Sequence, residues 1–351
     1  MSTLYESKGI PHVTRISTYL TTLPILILNV HSRCNCRCVM CDIWKRETST
    51  EIKVANLERH RLSLHKLGTR QVVLSGGEPL LHSDLKSLCS FFRQEQIHLT
   101  LLTTGLLLLK RAEEVSKLFD EIIISIDGPA EVHDAVRRVK GAFQLIQNGI
   151  AAIRRYRPDM PVRGRSTVQK ANHLCLRGTV AAAKLLALDS ISFLAADLTS
   201  EAFNRPLLWP VERQSEIALS HEEVGALENE IEELIAAHAE DIRTNYIAES
   251  ISKLRGITRH YRVHLGQFVA ESPTCNAPWV SAVVEANGSV RPCFFHPVIG
   301  NIYSSTLEEV LNGEVASTFR ESLDIPSNPT CQRCVCSLNY NSSKNENSEN
   351  S

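Results

Sequence analysis

The 351-residue chain is 43% apolar and 22% charged, proportions that fit a globular protein with one large core and a smaller one. Its 38 basic and 39 acidic side chains leave a net charge of −1, which excludes the one-signed field of a nucleic-acid or membrane-surface binder. Eleven cysteines are the unusual count: Cys34, Cys36, Cys38 and Cys41 form one group, Cys275, Cys293, Cys331, Cys334 and Cys336 another, and Cys89 and Cys175 stand alone. An odd total in two tight groups fits a disulfide framework poorly. No signal peptide or membrane span is legible: the apolar stretch 23–30 is short, contains Pro24 and lacks a small-residue cleavage site. The expected setting is therefore the reducing cytoplasm, where clustered cysteines read as metal ligands.

Residues 1–24 read as an N-terminal extension, after which a strand–helix alternation begins. Runs at 25–30, 72–75, 98–103, 122–126, 162–168 and 191–195 predict strands. Windows at 56–67, 83–95, 111–118, 143–155 and 176–187 predict the intervening helices. Six such units argue for an α/β fold with parallel strands and are too few for the eight-unit closed barrel, so a partial (β/α)6 barrel is expected over 25–197. Residues 198–270 break the rhythm. Ser220 and Glu223 form a capping box before an apolar stripe of Val224, Leu227, Ile231, Leu234 and Ile235, read as a helical linker packed on the barrel. Residues 271–338 hold the second cysteine group, with strand-like runs at 280–285 and 289–291 around the turn Asn287-Gly288. A capping box is expected at Ser305 and Glu308, with a helix stop at Asn312-Gly313. This region reads as a small cysteine-rich α+β domain. The Ser-, Asn- and Glu-rich tail 339–351 reads as disordered.

Cys34-x3-Cys38-x2-Cys41 puts three thiols on one short loop after the first strand. A [4Fe–4S] cube normally takes four thiolates, so three leave one iron open; a zinc site would instead draw a fourth ligand from Cys36 or a nearby histidine. Spacing alone leaves both open. Ser75-Gly-Gly-Glu-Pro79 follows the second strand. Glycines there let a ligand approach the backbone, and a carboxylate accepts hydrogen bonds from an ammonium.

Together, the cysteine loop and this motif resemble the radical S-adenosylmethionine (SAM) superfamily. The resemblance implies that Cys34, Cys38 and Cys41 hold a [4Fe–4S] cluster whose open iron binds SAM. It implies that Gly76, Gly77 and Glu78 contact the methionine amine, and that Cys36 is a spare. Met40 stands where many relatives have an aromatic residue and can likewise pack against adenine. Ile124-Ser-Ile-Asp-Gly-Pro129 is similar to the Ser-x-Asp-Gly element of many radical SAM enzymes, which makes Ser125 and Asp127 candidates facing SAM or substrate. His133-Asp134, Arg137 and Gly141-Ala-Phe143 continue that pattern, Arg137 either pairing a carboxylate or lying on the surface. Residues 166–172 resemble the stretch near the SAM ribose and carboxylate, adding Arg165 and Ser166.

Cys275-x12-Gly288-x4-Cys293, followed by Cys331-x2-Cys334, offers four thiols that suit a zinc site or an iron–sulfur cube. With Arg291-Pro-Cys-Phe-Phe and Ile299-Gly-Asn-Ile302, the spacing resembles the auxiliary-cluster region called SPASM or, in its shorter form, twitch. That resemblance implies one auxiliary [4Fe–4S] cluster on Cys275, Cys293, Cys331 and Cys334, with Cys336 a substitute ligand. The implied chemistry is of oxidoreductase type. An external donor such as flavodoxin or ferredoxin reduces the first cluster, SAM is cleaved to methionine and a 5′-deoxyadenosyl radical, and the radical removes hydrogen from an organic substrate. A small metabolite such as a sugar or aminocyclitol is expected ahead of a ribosomal peptide or protein side chain, because the 24 residues before the first strand are few for a leader-binding domain. A non-catalytic zinc-binding scaffold is the rival from another class, and it has no need of the Gly-Gly-Glu-Pro motif.

Overall fold

A computed structural model describes residues 18–46, 48–202, 208–271 and 273–341. The expectations for residues 1–17 and for the tail from 342 onward lie outside the described residues. Strands β1 (Ile25–His31), β2 (Gln71–Gly76), β3 (His98–Thr103), β4 (Glu121–Ser125), β5 (Val162–Val168) and β6 (Ser190–Ala195) lie side by side in chain order. Every neighbouring pair among them is parallel. Register places Leu28, Leu74, Leu101, Ile122 and Val162 as successive neighbours across five strands, all buried. This apolar row, packed beneath the crossover helices, holds the partial (β/α)6 barrel together. Toward the carboxyl ends of the strands the aliphatics give way to polar side chains: Asn29, Ser75, Thr103 and Ser125.

The helices depart from expectation in two places. The window 56–67 is three short pieces: Val54–Leu57, the 3-10 turn Glu58–His60, and Arg61–Lys66. His60 is drawn into the interior there and accepts the Leu307 N–H at 3.1 Å, which tightens the turn. An unpredicted helix, Ala130–Arg137, starts after Pro129 and ends at the left-handed Arg138 (φ 53°).

The region after β6 folds as helices Val211–Ser215, His221–Ala237, Ala239–Arg243 and Ile251–His264, with the Ser220–Glu223 capping box in place. It also covers the free barrel edge. Ile191 N donates to Tyr246 O at 2.8 Å and Ala248 N to Ile191 O at 3.0 Å, so 246–248 shields backbone groups of β6 that would otherwise invite pairing. The fully buried Tyr261 ties the last of these helices to β5 by donating to Val168 O at 2.6 Å.

Strands β7 (Ser281–Val284), β8 (Ser289–Arg291) and β9 (Gly300–Asn301) extend the sheet from its other edge. β7 is parallel to β1; β8 and β9 return antiparallel, the first turn using Gly288 at φ +82°. The second capping box lies one residue later than expected, on Thr306 and Glu309. Ser305 N still bonds back to Asn301 O at 3.3 Å, so the chain is in a turn there and the helix opens at Leu307. Among the described residues no helix is long and apolar enough to cross a membrane.

Candidate active site

The cysteine loop leaves the carboxyl end of β1 and is fastened on two sides. Gly77 N donates to His31 O at 2.7 Å and Glu78 N to Arg33 O at 2.8 Å. Arg37 N donates to Arg137 O at 3.2 Å and Val39 N to Val136 O at 3.0 Å. The two glycines are needed for the first contact. A Cβ on Gly76 (φ +120°) would lie 2.6 Å from His31 O, and one on Gly77 2.0 Å from Arg33 O. Their local task is to let β2 pass directly under the loop that carries Cys34.

Glu78 is fully buried and already engaged. Its oxygens accept from Leu80 N (3.0 Å), Thr103 Oγ1 (2.8 Å), Thr104 N (2.8 Å) and Thr104 Oγ1 (2.7 Å). A carboxylate has about four acceptor positions, so an arriving ammonium would have to displace one of these donors. In this structure Glu78 clasps the ends of β2 and β3, and Thr104 Oγ1 divides its one proton between Glu78 and Asn35 Oδ1 at 3.0 Å. Asp127 is likewise buried and committed, to Arg137 Nε at 2.6 Å and Thr167 N at 3.1 Å. Arg137 is no surface residue. It bridges Asp127 to Cys38, with Nη1 3.5 Å from Cys38 Sγ. A hydrogen bond from the Cys36 thiol, with Arg137 beside it, brings the Cys38 thiol down to about 6 against the effect of burial, while Cys36 is pushed up.

Ser125, half-buried at the end of β4, is in register with Arg165 of β5. Arg165 lies 3.4 Å from Ser192 Oγ through Nε and faces a cavity of about 870 Å³ rather than the cysteine loop. Ser166 is buried with its hydroxyl unpartnered. Gln169 is a residue the motif reading passed over. It is fully buried, its Nε2 lies 3.9 Å from Met40 Sδ, and its Oε1 has no partner. Two orphaned polar atoms on the β5 side of the loop are what a polar ligand there would satisfy.

The four C-terminal thiols of Cys275, Cys293, Cys331 and Cys334 are close enough to act on one another's charge. Burial pushes Cys41 and Cys293 up to about 12 and Cys331 up to about 11, so binding a metal there means displacing protons. Among the described residues no three His, Cys, Asp or Glu side chains converge to hold a single metal ion. Four thiols grouped in this way suit an iron–sulfur cluster or a zinc ion.

The donor pattern adds to this fit. Backbone amides donate to Cys34 (from Cys36, 3.5 Å), Cys41 (from Ile43, 3.5 Å), Cys275 (from Ala277, 3.5 Å) and Cys334 (from Cys336, 3.4 Å). Cys293 receives those of Phe295 and His296. Side chains meet the other two: Arg137 Nη1 donates to Cys38, and His296 Nε2 lies 3.3 Å from Cys331 Sγ.

The cavity that Arg165 faces lies between β6, the Ile251–His264 helix and the loop 332–337, with Cys334 and Cys336 in its wall. Four cations, Arg165, Lys253, Arg259 and Arg333, line it against two carboxylates, Glu249 and Glu271. Burial pushes Glu249 up to about 7. A second cavity of about 590 Å³ opens over Cys34, lined by Arg33, Asn35, Arg37, Trp44 and Arg46.

Comparison with known proteins agrees with this geometry. The Radical SAM superfamily pattern matches residues 28–168, and the SPASM iron–sulfur cluster-binding domain matches 275–335. The chain is 28% identical over 328 residues to the AdoMet-dependent heme synthase of Methanosarcina barkeri, covering 87% of this chain and 86% of that one. It is 29% identical over 152 residues to the Fe-coproporphyrin III synthase of the same organism, covering 41% of this chain and only 37% of that relative's length. The solved structure of native anSMEcpe with bound AdoMet aligns with a TM-score of 0.63 at 19% identity, over 89% of this chain and 86% of that one; at that identity the likeness is one of fold. The cofactors that follow are SAM with its [4Fe–4S] cluster and an auxiliary iron–sulfur cluster in the C-terminal region. A cysteine loop docked on a Gly-Gly-Glu turn at the mouth of a partial barrel, followed by a second cysteine site on the same sheet, belongs with those matches: the chain is a member of the radical SAM superfamily with a C-terminal SPASM region.

Proposed function

We propose that the protein cleaves SAM reductively at a cluster on Cys34, Cys38 and Cys41 and oxidises a carboxylate-bearing small molecule of the tetrapyrrole class in the 870 Å³ cavity. The observation that carries this reading is the cavity wall: four cations against two carboxylates in a chain of net charge −1. Such a wall favours an anionic ligand over the sugar or aminocyclitol expected from the sequence. The heme synthase that matches most of this chain supports a carboxylated macrocycle.

SAM at its cluster supplies, when bound, a radical that takes hydrogen from an unactivated carbon. The chain's own residues do the rest. Lys253 and Arg333 hold carboxylates, Arg259 being paired with Glu271 in the same wall, and Phe193, Leu194 and Val335 exclude water. Glu249, poised near neutrality, takes or gives a proton at the cavity wall. Cys334 lines the same cavity, so a cluster held there would lie beside the substrate and would be placed to accept the electron left after hydrogen removal. An external one-electron donor and a reducing cytoplasm complete the proposal.

The test is an anaerobic assay of 5′-deoxyadenosine and product by mass spectrometry. The reconstituted enzyme is offered iron tetrapyrroles with free carboxylates, their methyl esters, aminocyclitols and short peptides. Turnover confined to the free acids supports the reading. Equal turnover of the esters, or turnover of an aminocyclitol or peptide alone, refutes it.

A further inference from the structure

The loop between β8 and β9 carries Cys293 and, three residues on, His296. The imidazole is buried and packs edge-on against Phe319, with ring centroids 4.8 Å apart. Arg291 Nη1 donates to the His296 carbonyl at 2.9 Å and fixes the backbone beneath the ring. Nε2 then lies 3.3 Å from Cys331 Sγ.

Cys331 differs from its neighbours in one respect. At Cys275 and Cys334 the amide two residues on turns back to the sulfur. Cys331 instead lies inside the helix Pro329–Gln332, and the amide two residues on, Arg333 N, goes to Thr330 O at 3.3 Å. The helical turn that places the thiol also takes away its local donor, and His296 Nε2 approaches the sulfur from another segment.

We propose that His296 is a positioning residue for the auxiliary cluster: its Nε2–H donates to the Cys331 sulfur and raises the cluster's reduction potential. This rests on the reading that Cys275, Cys293, Cys331 and Cys334 hold that cluster. A thiolate has no proton to give, so the imidazole is the donor. Reduction adds negative charge that spreads onto the thiolate sulfurs, and an N–H aimed at one of them favours the reduced form.

The experiment uses the full chain with Cys34, Cys38 and Cys41 changed to alanine, so that the auxiliary cluster is read alone, by iron and sulfide content and by redox titration followed by electron paramagnetic resonance. His296→Leu is expected to keep about four irons. Its reduced-to-oxidised ratio at a fixed ambient potential is expected to fall about tenfold, a shift of 59 mV for one electron. His296→Gln, which keeps an N–H, is expected to recover part of that shift. A potential unchanged in His296→Leu with iron intact overturns the proposal. So does imidazole nitrogen coupling in the parent with iron lost from His296→Leu, because His296 is then a ligand. A parent with no iron–sulfur cluster overturns the auxiliary-site reading itself, and this proposal with it.

Discussion

Gly77→Ala separates two roles of the Gly-Gly-Glu turn. The added methyl would sit 2.0 Å from Arg33 O and 2.4 Å from Arg33 C, where at least 3.0 Å is needed. These are backbone atoms, so no side chain can swing aside. The Arg33 carbonyl must retreat by about 1 Å, which strains or breaks the bonds Gly77 N to His31 O and Glu78 N to Arg33 O. Two such bonds at about 1 kcal/mol each, plus overpacking of a similar size, give a loss of about 2–4 kcal/mol. Cys34 is the next residue, so the first cluster should be lost while the second survives. The assay is iron content after anaerobic reconstitution without SAM, paired with thermal unfolding. About eight irons in the wild type should fall to about four, with a lowered melting temperature. Full iron content and unchanged melting, with only SAM binding impaired, would refute the docking role and leave the turn as a ligand contact alone.

Asp127→Asn leaves the Arg137 guanidinium buried without its counter-charge. Denaturant unfolding should show a loss of about 3–5 kcal/mol, and a loss under 1 kcal/mol would mean water reaches the pair. Glu249 has a folded-state pKa raised by burial from 4.5 to about 7. Its protonated form therefore contributes stability that is present below about 4.5 and lost as pH rises through about 7, a swing of about 3 kcal/mol. Wild type minus Glu249→Gln, measured by chemical unfolding from pH 4 to 8, should show that swing, and a flat difference would refute it.

Much of the barrel is legible in the chain because its causes are local. β-Branched and leucine-rich runs mark all six strands, and the cysteine loop and Gly-Gly-Glu turn stand one βα unit apart. What escaped depends on distant partners. Nothing near residue 60 reveals that His60 turns inward to meet Leu307. Nothing near Glu78 reveals that Thr103 and Thr104 occupy its oxygens. Arg137 read equally well as a surface residue, since only the fold brings Asp127 and Cys38 to it. The pairing of β7 with β1, and the cover of β6 by 246–248, are likewise long-range. Glu249 and His296 carried no local signal; one is defined by a cavity, the other by a helix that turns an amide away from Cys331.

The donor pattern bears on the two cysteines that motif reading left over. Cys36 and Cys336 each follow a ligand position by two residues, and each donates its own amide to that ligand's sulfur, at 3.5 Å and 3.4 Å. Amide donors aimed at sulfur gain most when that sulfur is a thiolate, as it is on iron. Neither Cys36 nor Cys336 receives an N–H in return among the described residues, and nor do Cys89 and Cys175. The four unserved cysteines are thus set apart from five approached by backbone amides and two approached by side chains. Each contributes an N–H, Cys36 adding its thiol hydrogen bond to Cys38, and we expect neither sulfur to be a ligand. Cys36→Ala and Cys336→Ala keep that N–H and should retain about eight irons and full 5′-deoxyadenosine formation. Cys336→Pro removes it and should shift the auxiliary potential downward, as loss of the His296 bond would. Iron lost from Cys336→Ala would show that its thiol is a ligand after all, and the sorting by donors would fail at that position.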